Sequence, residues 1–312
     1  MKRRRCLSIL AGATAASMSG CVRGRESVVT KWEGVLFNAE VDLAIHDLPE
    51  KEARTLISQC VAEMQRLEQI FSLYVPDSVL CALNREGQVA NPPAEFVSLV
   101  SDALEVATKS GGAFDPTVQP YWVWLRESVE AGEVIDDAQR VRQLARVDYR
   151  KVHCAQEKVR YEDAGMAMTL NGIAQGWITD RVCELLREAG AKHCLVNLGE
   201  FHALGAQPSG KDWRVAIRGA EKAEVRLRGD ALAVSCGAGL YFGTGEGNNH
   251  LINPRTGGCS EDRRIVAVTA ADASTADALS TACAVLGDGE AQDLVKKWEG
   301  ARVRILRPGA GS

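Results

Sequence analysis

The chain has 312 residues, 46% hydrophobic and 25% charged, enough for a sizeable core in one large domain or two lobes. A net charge of -4 with no long basic run after Arg5 argues against a general nucleic-acid binder, and 5% aromatic residues against a base-stacking platform. No segment beyond the leader is long and apolar enough to span a bilayer.

The first residues read as a leader. Lys2 to Arg5 are consecutive cations, "CLSILAGATAASM" is a short apolar segment, and "SGC" ends at Cys21. A charged start, an apolar stretch too short to cross a membrane and a small-residue processing site make an export signal over residues 1–21. Paired arginines fit the twin-arginine route, and "MSGC" is similar to a lipoprotein signal with Cys21 as the lipidated residue. The expected location is periplasmic, with a lipid anchor at Cys21. A cytosolic chain with a basic amphipathic start is the other reading. Residues 22–33 read as a polar linker, 34–306 as the folded part and 307–312 as a frayed tail.

Ten cysteines include Cys6 and Cys21; the others are scattered, without C-x-x-C or zinc spacing. Export permits disulfides, but most of these cysteines sit in apolar patterns, which favours buried thiols.

In "GVLFNAEVDLAIH", Val35, Phe37, Ala39, Val41, Leu43 and Ile45 alternate onto one face, the pattern of a half-buried strand. The next segment, "EARTLISQCVAEMQRLEQIF", places Leu56, Ile57, Cys60, Val61, Met64 and Leu67 at helical spacing. "SLYVPDSVLCALN" predicts a turn and a short helix with Asp77 or Ser78 as N-cap. "AEFVSLVSDALEVATKSGG" predicts a second amphipathic helix, stopped by Gly111 and Gly112. "SGGAFDPTVQPYW" reads as a turn. "RKVHCA", "KVRYE" and "MAMTL" read as short strands and "AQGWITDRVCELLREAG" as a helix. The stretch from His193 to His250 is mostly strand and turn; "RIVAVTA" and "ARVRIL" are strands on either side of the helix "ASTADALSTACAVLG". Strands cluster rather than alternating with helices, which predicts α+β and not a doubly wound parallel sheet.

Three stretches carry chemistry. In the small-residue helix, Asp277, Ser280 and Thr281 stand at i, i+3 and i+4, three oxygens on one face. An isolated buried carboxylate is costly, and a hard cation such as Mg2+ accepts carboxylate and hydroxyl oxygens; a polar first turn favoured by the helix dipole is the alternative. In "HLINPRTGG", His250 precedes a turn with free amides and Arg255, a potential phosphate clamp, although a lone histidine is more often structural. "TLNGIAQGW" is a strand entering a helix through Gly172 and Gly176, able to bring backbone close to a phosphate, but it is neither a P-loop nor G-x-G-x-x-G.

In this order, "FSLYVPDSVLCALN", "GAFDPTVQP", "NGIAQG", "NLGE", "HLINPRTG" and "TADALSTA" resemble one family, the ApbE-type flavin transferases, over about residues 34 to 306. The resemblance implies a two-lobed α+β fold with mixed or antiparallel sheets and FAD between the lobes. It implies Mg2+ held by Asp277, Thr281 and the Gly172 carbonyl, with Ser280 also able to ligate. It places FAD against Tyr74, Ser78, Asn84, the Ala113-Phe114-Asp115 turn, Thr169, Gln175, Leu251 and Arg255, and gives His250 the role of base. The implied reaction transfers FMN from FAD to a Ser or Thr hydroxyl of an acceptor flavoprotein and releases AMP. "NGIAQG" with "NLGE" resembles a subgroup associated with nitrous-oxide reduction. The sequence departs from the family pattern at Gln175 (commonly Lys), at Thr169 (frequently Asp), in the missing glycine of "NLGE", and at Phe37 (usually Met). Two other readings of the same site are an Mg2+-dependent FAD pyrophosphatase and a non-enzymatic exported FAD-binding protein.

Overall fold

The computed structural model describes residues 29–36, 39–220, 223–243 and 247–307. The leader and Cys21 lie outside the described residues, as do Phe37 and most of the tail. The alternating segment expected as one strand is a hairpin. Strand β1 (Val29–Leu36) pairs antiparallel with β2 (Ala39–His46), Leu36 opposite Ala39 and Val29 opposite His46. Ala39, Val41, Leu43 and Ile45 are buried as the alternation requires, whereas Val35 is 68% exposed. Leu36 opposite Ala39 moves the buried face from even positions in β1 to odd ones in β2, and the apolar but exposed Val35 hides that change in the sequence. Strand β1 also begins at Val29, inside the segment read as a linker.

Helix α1 (Glu50–Phe71) buries Ala53, Leu56, Ile57, Cys60, Met64, Leu67, Ile70 and Phe71, the larger of them worth about 1.5–3 kcal/mol each. Helix α2 (Val79–Glu86) starts at Ser78, whose Oγ accepts from the Cys81 amide at 3.0 Å. After β3 (Gln88–Ala90), helix α3 (Ala94–Lys109) ends at Gly111 and Gly112, both with positive φ. Helices α4 (Gln119–Glu130) and α5 (Asp137–Leu144) follow, neither foreseen. Strands β4 (Val152–Ala155) and β5 (Lys158–Tyr161) join β3 in a small antiparallel sheet.

"MAMTL" is not a strand. The Asn84 side chain gives Met168 what a strand neighbour would: Nδ2 donates to the Met168 carbonyl and Oδ1 accepts from its amide, both at 2.8 Å. Helix α6 (Ala174–Glu188) then leads to β6 (Cys194–Asn197), β7 (Phe201–Leu204), the hairpin β8 (Trp213–Ala216) and β9 (Glu224–Leu227), and β10 (Ala231–Cys236). Strand β11 (Ile265–Ala270), helices α7 (Ala273–Ala284) and α8 (Asp288–Val295), and β12 (Arg302–Leu306) complete the fold.

The main sheet has the order β1-β2-β6-β7-β10-β11-β12, every pairing antiparallel, so strand order follows chain order with excursions between. Helices α1, α6 and α7 pack against it. The β8–β9 hairpin supplies Trp213, Val215 and Leu227 to a second cluster with Phe201, Leu232 and Ile265. Strands β6 and β7 are therefore buried along their whole length, and their sequence loses the alternation that a one-sided strand shows. The eight described cysteines are free thiols, and burial pushes Cys194 and Cys283 up to about 12, which keeps them inert. Among the described residues no helix is long and apolar enough to cross a membrane.

Candidate active site

A cavity of about 500 Å³ is walled by the turn after α1, the α3–α4 turn, α4 itself, the entry to α6, the end of β10, the His250 turn and α7. Of the residues singled out from the sequence, Tyr74, Ala113, Phe114, Asp115, Thr169, Gly172, Gln175, His250, Leu251, Asp277 and Thr281 all line it. They come from segments more than 200 residues apart.

The floor is set by an exchange between two helices. Asp277, only 5% exposed on α7, accepts from the Gly176 amide in the first turn of α6 at 3.2 Å. In return Asp180 on α6 accepts from the Ala273 and Ser274 amides of α7 at 2.7 and 2.8 Å. Each carboxylate meets orphan first-turn donors of the other helix, where the macrodipole favours negative charge. His202 Nδ1 lies 2.7 Å from Asp180 Oδ1, and Asp272 caps α7 through the Thr275 amide at 2.7 Å. The other end of α7 is closed by buried Arg264, whose Nη1 donates to the Cys283 and Ala284 carbonyls at 2.7 and 2.9 Å. Two glycines permit the close approach. A Cβ at Gly176 would run into the Ala273 carbonyl, and one at Gly172 would stand 3.0 Å from Thr281 Oγ1 and 3.3 Å from the Phe114 ring.

His250 sits on a turn built by buried Asn249. Asn249 Nδ2 donates to the Ser260 carbonyl at 2.8 Å and to Asp262 at 3.0 Å, while its Oδ1 accepts from the Leu251 amide at 3.0 Å. His250 Nδ1 faces the Leu240 carbonyl at 3.3 Å. A carbonyl only accepts, so Nδ1 carries the hydrogen in the neutral ring and Nε2 is the basic nitrogen. Asn253 Nδ2 ties this turn to the end of α7 through the Val285 carbonyl at 3.1 Å.

Asp115 acts on the shape of the wall. Its Oδ1 accepts from the Thr117 amide and hydroxyl at 2.8 and 2.6 Å, and Oδ2 from the Tyr149 amide at 3.1 Å. Burial nonetheless pushes its carboxyl above the ordinary range. Gln175 Nε2 donates to the Leu198 carbonyl at 3.0 Å, and a Cβ at Gly199 would lie 2.6 Å from that nitrogen. Gln175 therefore holds the β6–β7 turn.

Four residues singled out from the sequence do not line the cavity. Ser78 is fully buried as the α2 cap, its hydroxyl also donating to the Ser72 carbonyl at 2.6 Å. Asn84 is spent on Met168 and on the Tyr161 hydroxyl, 2.6 Å away. Ser280 lies 2.7 Å from Ser235 and donates to the Asp277 carbonyl at 3.0 Å. Arg255 is exposed, 3.7 Å from Glu290, and does not line the cavity. A helical position says which oxygens share a face, not which of them is consumed by a neighbouring strand. Conversely, Trp122, Arg126, Glu200 and Ser235 line the cavity without having been singled out. Asp115 before Pro116 starts a 3-10 turn, and Pro120 in the first turn of α4 was a legible start signal for the helix carrying Trp122 and Arg126.

The ApbE family model matches residues 34–305. The chain belongs to the ApbE family. A FAD:protein FMN transferase of Treponema pallidum is 30% identical, over 83% of this chain and 79% of that protein. One of Haemophilus influenzae is 28% identical over 97% and 93%. The apo crystal structure of the Pseudomonas stutzeri flavinyl transferase ApbE superposes with TM-score 0.77 at 24% identity, covering 90% of this chain and 92% of that one. The Thermotoga maritima ApbE protein gives 0.76 at 22%, over 90% and 97%. The α+β fold with antiparallel sheets is that of this ApbE-family member's structural relatives.

Proposed function

We propose that the protein is an FAD:protein FMN transferase: it moves FMN from FAD to a Ser or Thr hydroxyl of an acceptor flavoprotein and releases AMP. The observation that carries this reading is the meeting of His250, Asp277 and Thr281 at one cavity in a chain of the ApbE family.

The donors offered by Gly172, Asp277 and Thr281 are a carbonyl, a carboxylate and a hydroxyl. This hard set suits Mg2+ better than zinc. Among the described residues no three His, Cys, Asp or Glu side chains gather as a metal cluster, so a cation here relies on one carboxylate, neutral oxygens and the substrate's phosphates. Bound there, Mg2+ would neutralise charge on the pyrophosphate. His250 Nε2 takes the proton of the acceptor hydroxyl as its oxygen attacks the FMN phosphorus. The bond from that phosphorus to the AMP oxygen breaks, and a phosphoester to the acceptor remains. The α6–α7 exchange and Arg264 hold Asp277 and Thr281 fixed while this happens, so little reorganisation is needed.

Intact mass of a candidate acceptor after incubation with FAD and Mg2+ tests the reading. A gain of one FMN, absent in chelator and absent when the target hydroxyl is removed, is expected. Release of FMN and AMP with an unmodified acceptor would point to the pyrophosphatase, and no turnover with FAD bound to the binding protein. The finer assignment to the nitrous-oxide subgroup rests on "NGIAQG" and "NLGE". Export rests on the cations of Lys2 to Arg5, the short apolar stretch and Cys21. Changing Arg3, Arg4 and Arg5 to Lys is expected to trap a precursor in the cytoplasm.

A further inference from the structure

The cavity is lined by three acids, Asp115, Glu200 and Asp277, yet the substrate proposed for it is an anion. Among the described residues lining it, Arg126 alone carries a fixed positive charge. Its guanidinium carbon sits 5.2 Å from the centre of the Trp122 ring, and Trp122 is braced edge-on against Phe242 at 5.0 Å. Stacking of this kind fixes the plane of the guanidinium. Arg126 Nε is buried and has no hydrogen-bond partner. Nη2 reaches Glu127 Oε1 only at 3.4 Å, an exposed pair of adjacent residues that contributes little. Buried donors are rarely left unsatisfied without a reason.

We propose that Arg126 is a phosphate-binding residue, whose guanidinium receives a phosphate of the dinucleotide in this cavity. The inference rests on FAD being the substrate and adds to it a residue that neither the family blocks nor the metal set includes. A guanidinium presents parallel N–H groups that match phosphate oxygens, and the stacked Trp122 holds the fork ready so that little side-chain freedom is lost on binding. Its charge offsets those of the carboxylates that line the same cavity, which would otherwise repel the pyrophosphate.

The test is a fluorescence titration of wild type, Arg126→Gln and Arg126→Lys with FAD and, separately, with riboflavin, which lacks phosphate, in Mg2+. Far-UV circular dichroism checks that each variant is folded. Arg126→Gln is expected to bind FAD roughly 10- to 100-fold more weakly, the range for a charge-assisted hydrogen bond, with riboflavin binding unchanged. Arg126→Lys, which keeps the charge and loses the fork, is expected to fall between. Equal loss for both ligands would make Arg126 a packing residue and overturn the assignment, as would an Arg126→Gln variant that binds FAD like wild type. A wild type that binds no FAD would instead overturn the reading beneath it.

Discussion

Asp277 and Asp180 cap each other's helices: Asp277 accepts the Gly176 amide of α6, and Asp180 accepts the Ala273 and Ser274 amides of α7. A carboxylate in a small-residue helix thus has a structural task as well as the proposed metal. The two tasks separate by substitution. Asp277→Asn keeps an acceptor for Gly176 and is expected to cost under ~1 kcal/mol of stability while abolishing transfer. Asp180→Ala leaves two first-turn amides and His202 without their acceptor and is expected to cost about 2–4 kcal/mol in denaturant unfolding. Equal destabilisation of both variants would mean that Asp277 is mainly a cap.

Gly176 is the contact that lets this exchange happen. Gly176→Ala places a methyl against the Ala273 carbonyl, backbone that cannot swing aside. The expected loss is about 3 kcal/mol or more, by the overpacking cost of a close helix contact. Thermal unfolding of the variant measures it, and a melting temperature like that of wild type would contradict the packing described.

His250→Ala is expected to slow single-turnover transfer about 10²–10⁴-fold, the usual contribution of a positioned base, with FAD affinity nearly unchanged. The Nδ1–Leu240 contact defines which nitrogen works. If FAD affinity and melting temperature fall with the rate, His250 is a scaffold for its turn and not the base.

Asp288, the first residue of α8, links that helix to Arg307 just after β12. The Arg307 guanidinium, with Arg264 beside it, holds the Asp288 carboxyl down at about 2, below its ordinary 3.8. A lowered carboxyl contributes stability that is present above the unfolded value and lost as pH falls through the folded one. Asp288→Asn should therefore lower the melting temperature at neutral pH, and the gap to wild type should close as pH drops from 3.8 towards 2. A gap independent of pH over that window would contradict the ion pairing.

Periodicity made α1, α2, α3, α6 and the outer strands legible, because their sequences carry the period of a buried face; α7, buried on nearly all sides, was legible from its run of small and apolar residues. Periodicity failed where the environment is two-sided or borrowed. "MAMTL" looks like a strand, yet its neighbour is the Asn84 side chain. The break between β1 and β2 passes unseen because exposed Val35 continues the apolar alternation of β2, although the buried face changes there from even to odd positions. Helix α5 buries none of its residues, so it has no apolar face to read. In the site, the metal candidates, the base candidate and most of the cavity wall followed from short blocks in order. Arg126 and Trp122 did not, because their helix was read as the tail of a turn.

The central claim is transfer to protein rather than to water, and a ratio tests it most directly. In a single turnover with FAD, Mg2+ and excess acceptor, AMP released and FMN bound covalently to the acceptor are quantified together. The account expects one covalent FMN for each AMP, with both lost in Asp277→Asn. AMP matched by free FMN, with the acceptor unmodified, would contradict it.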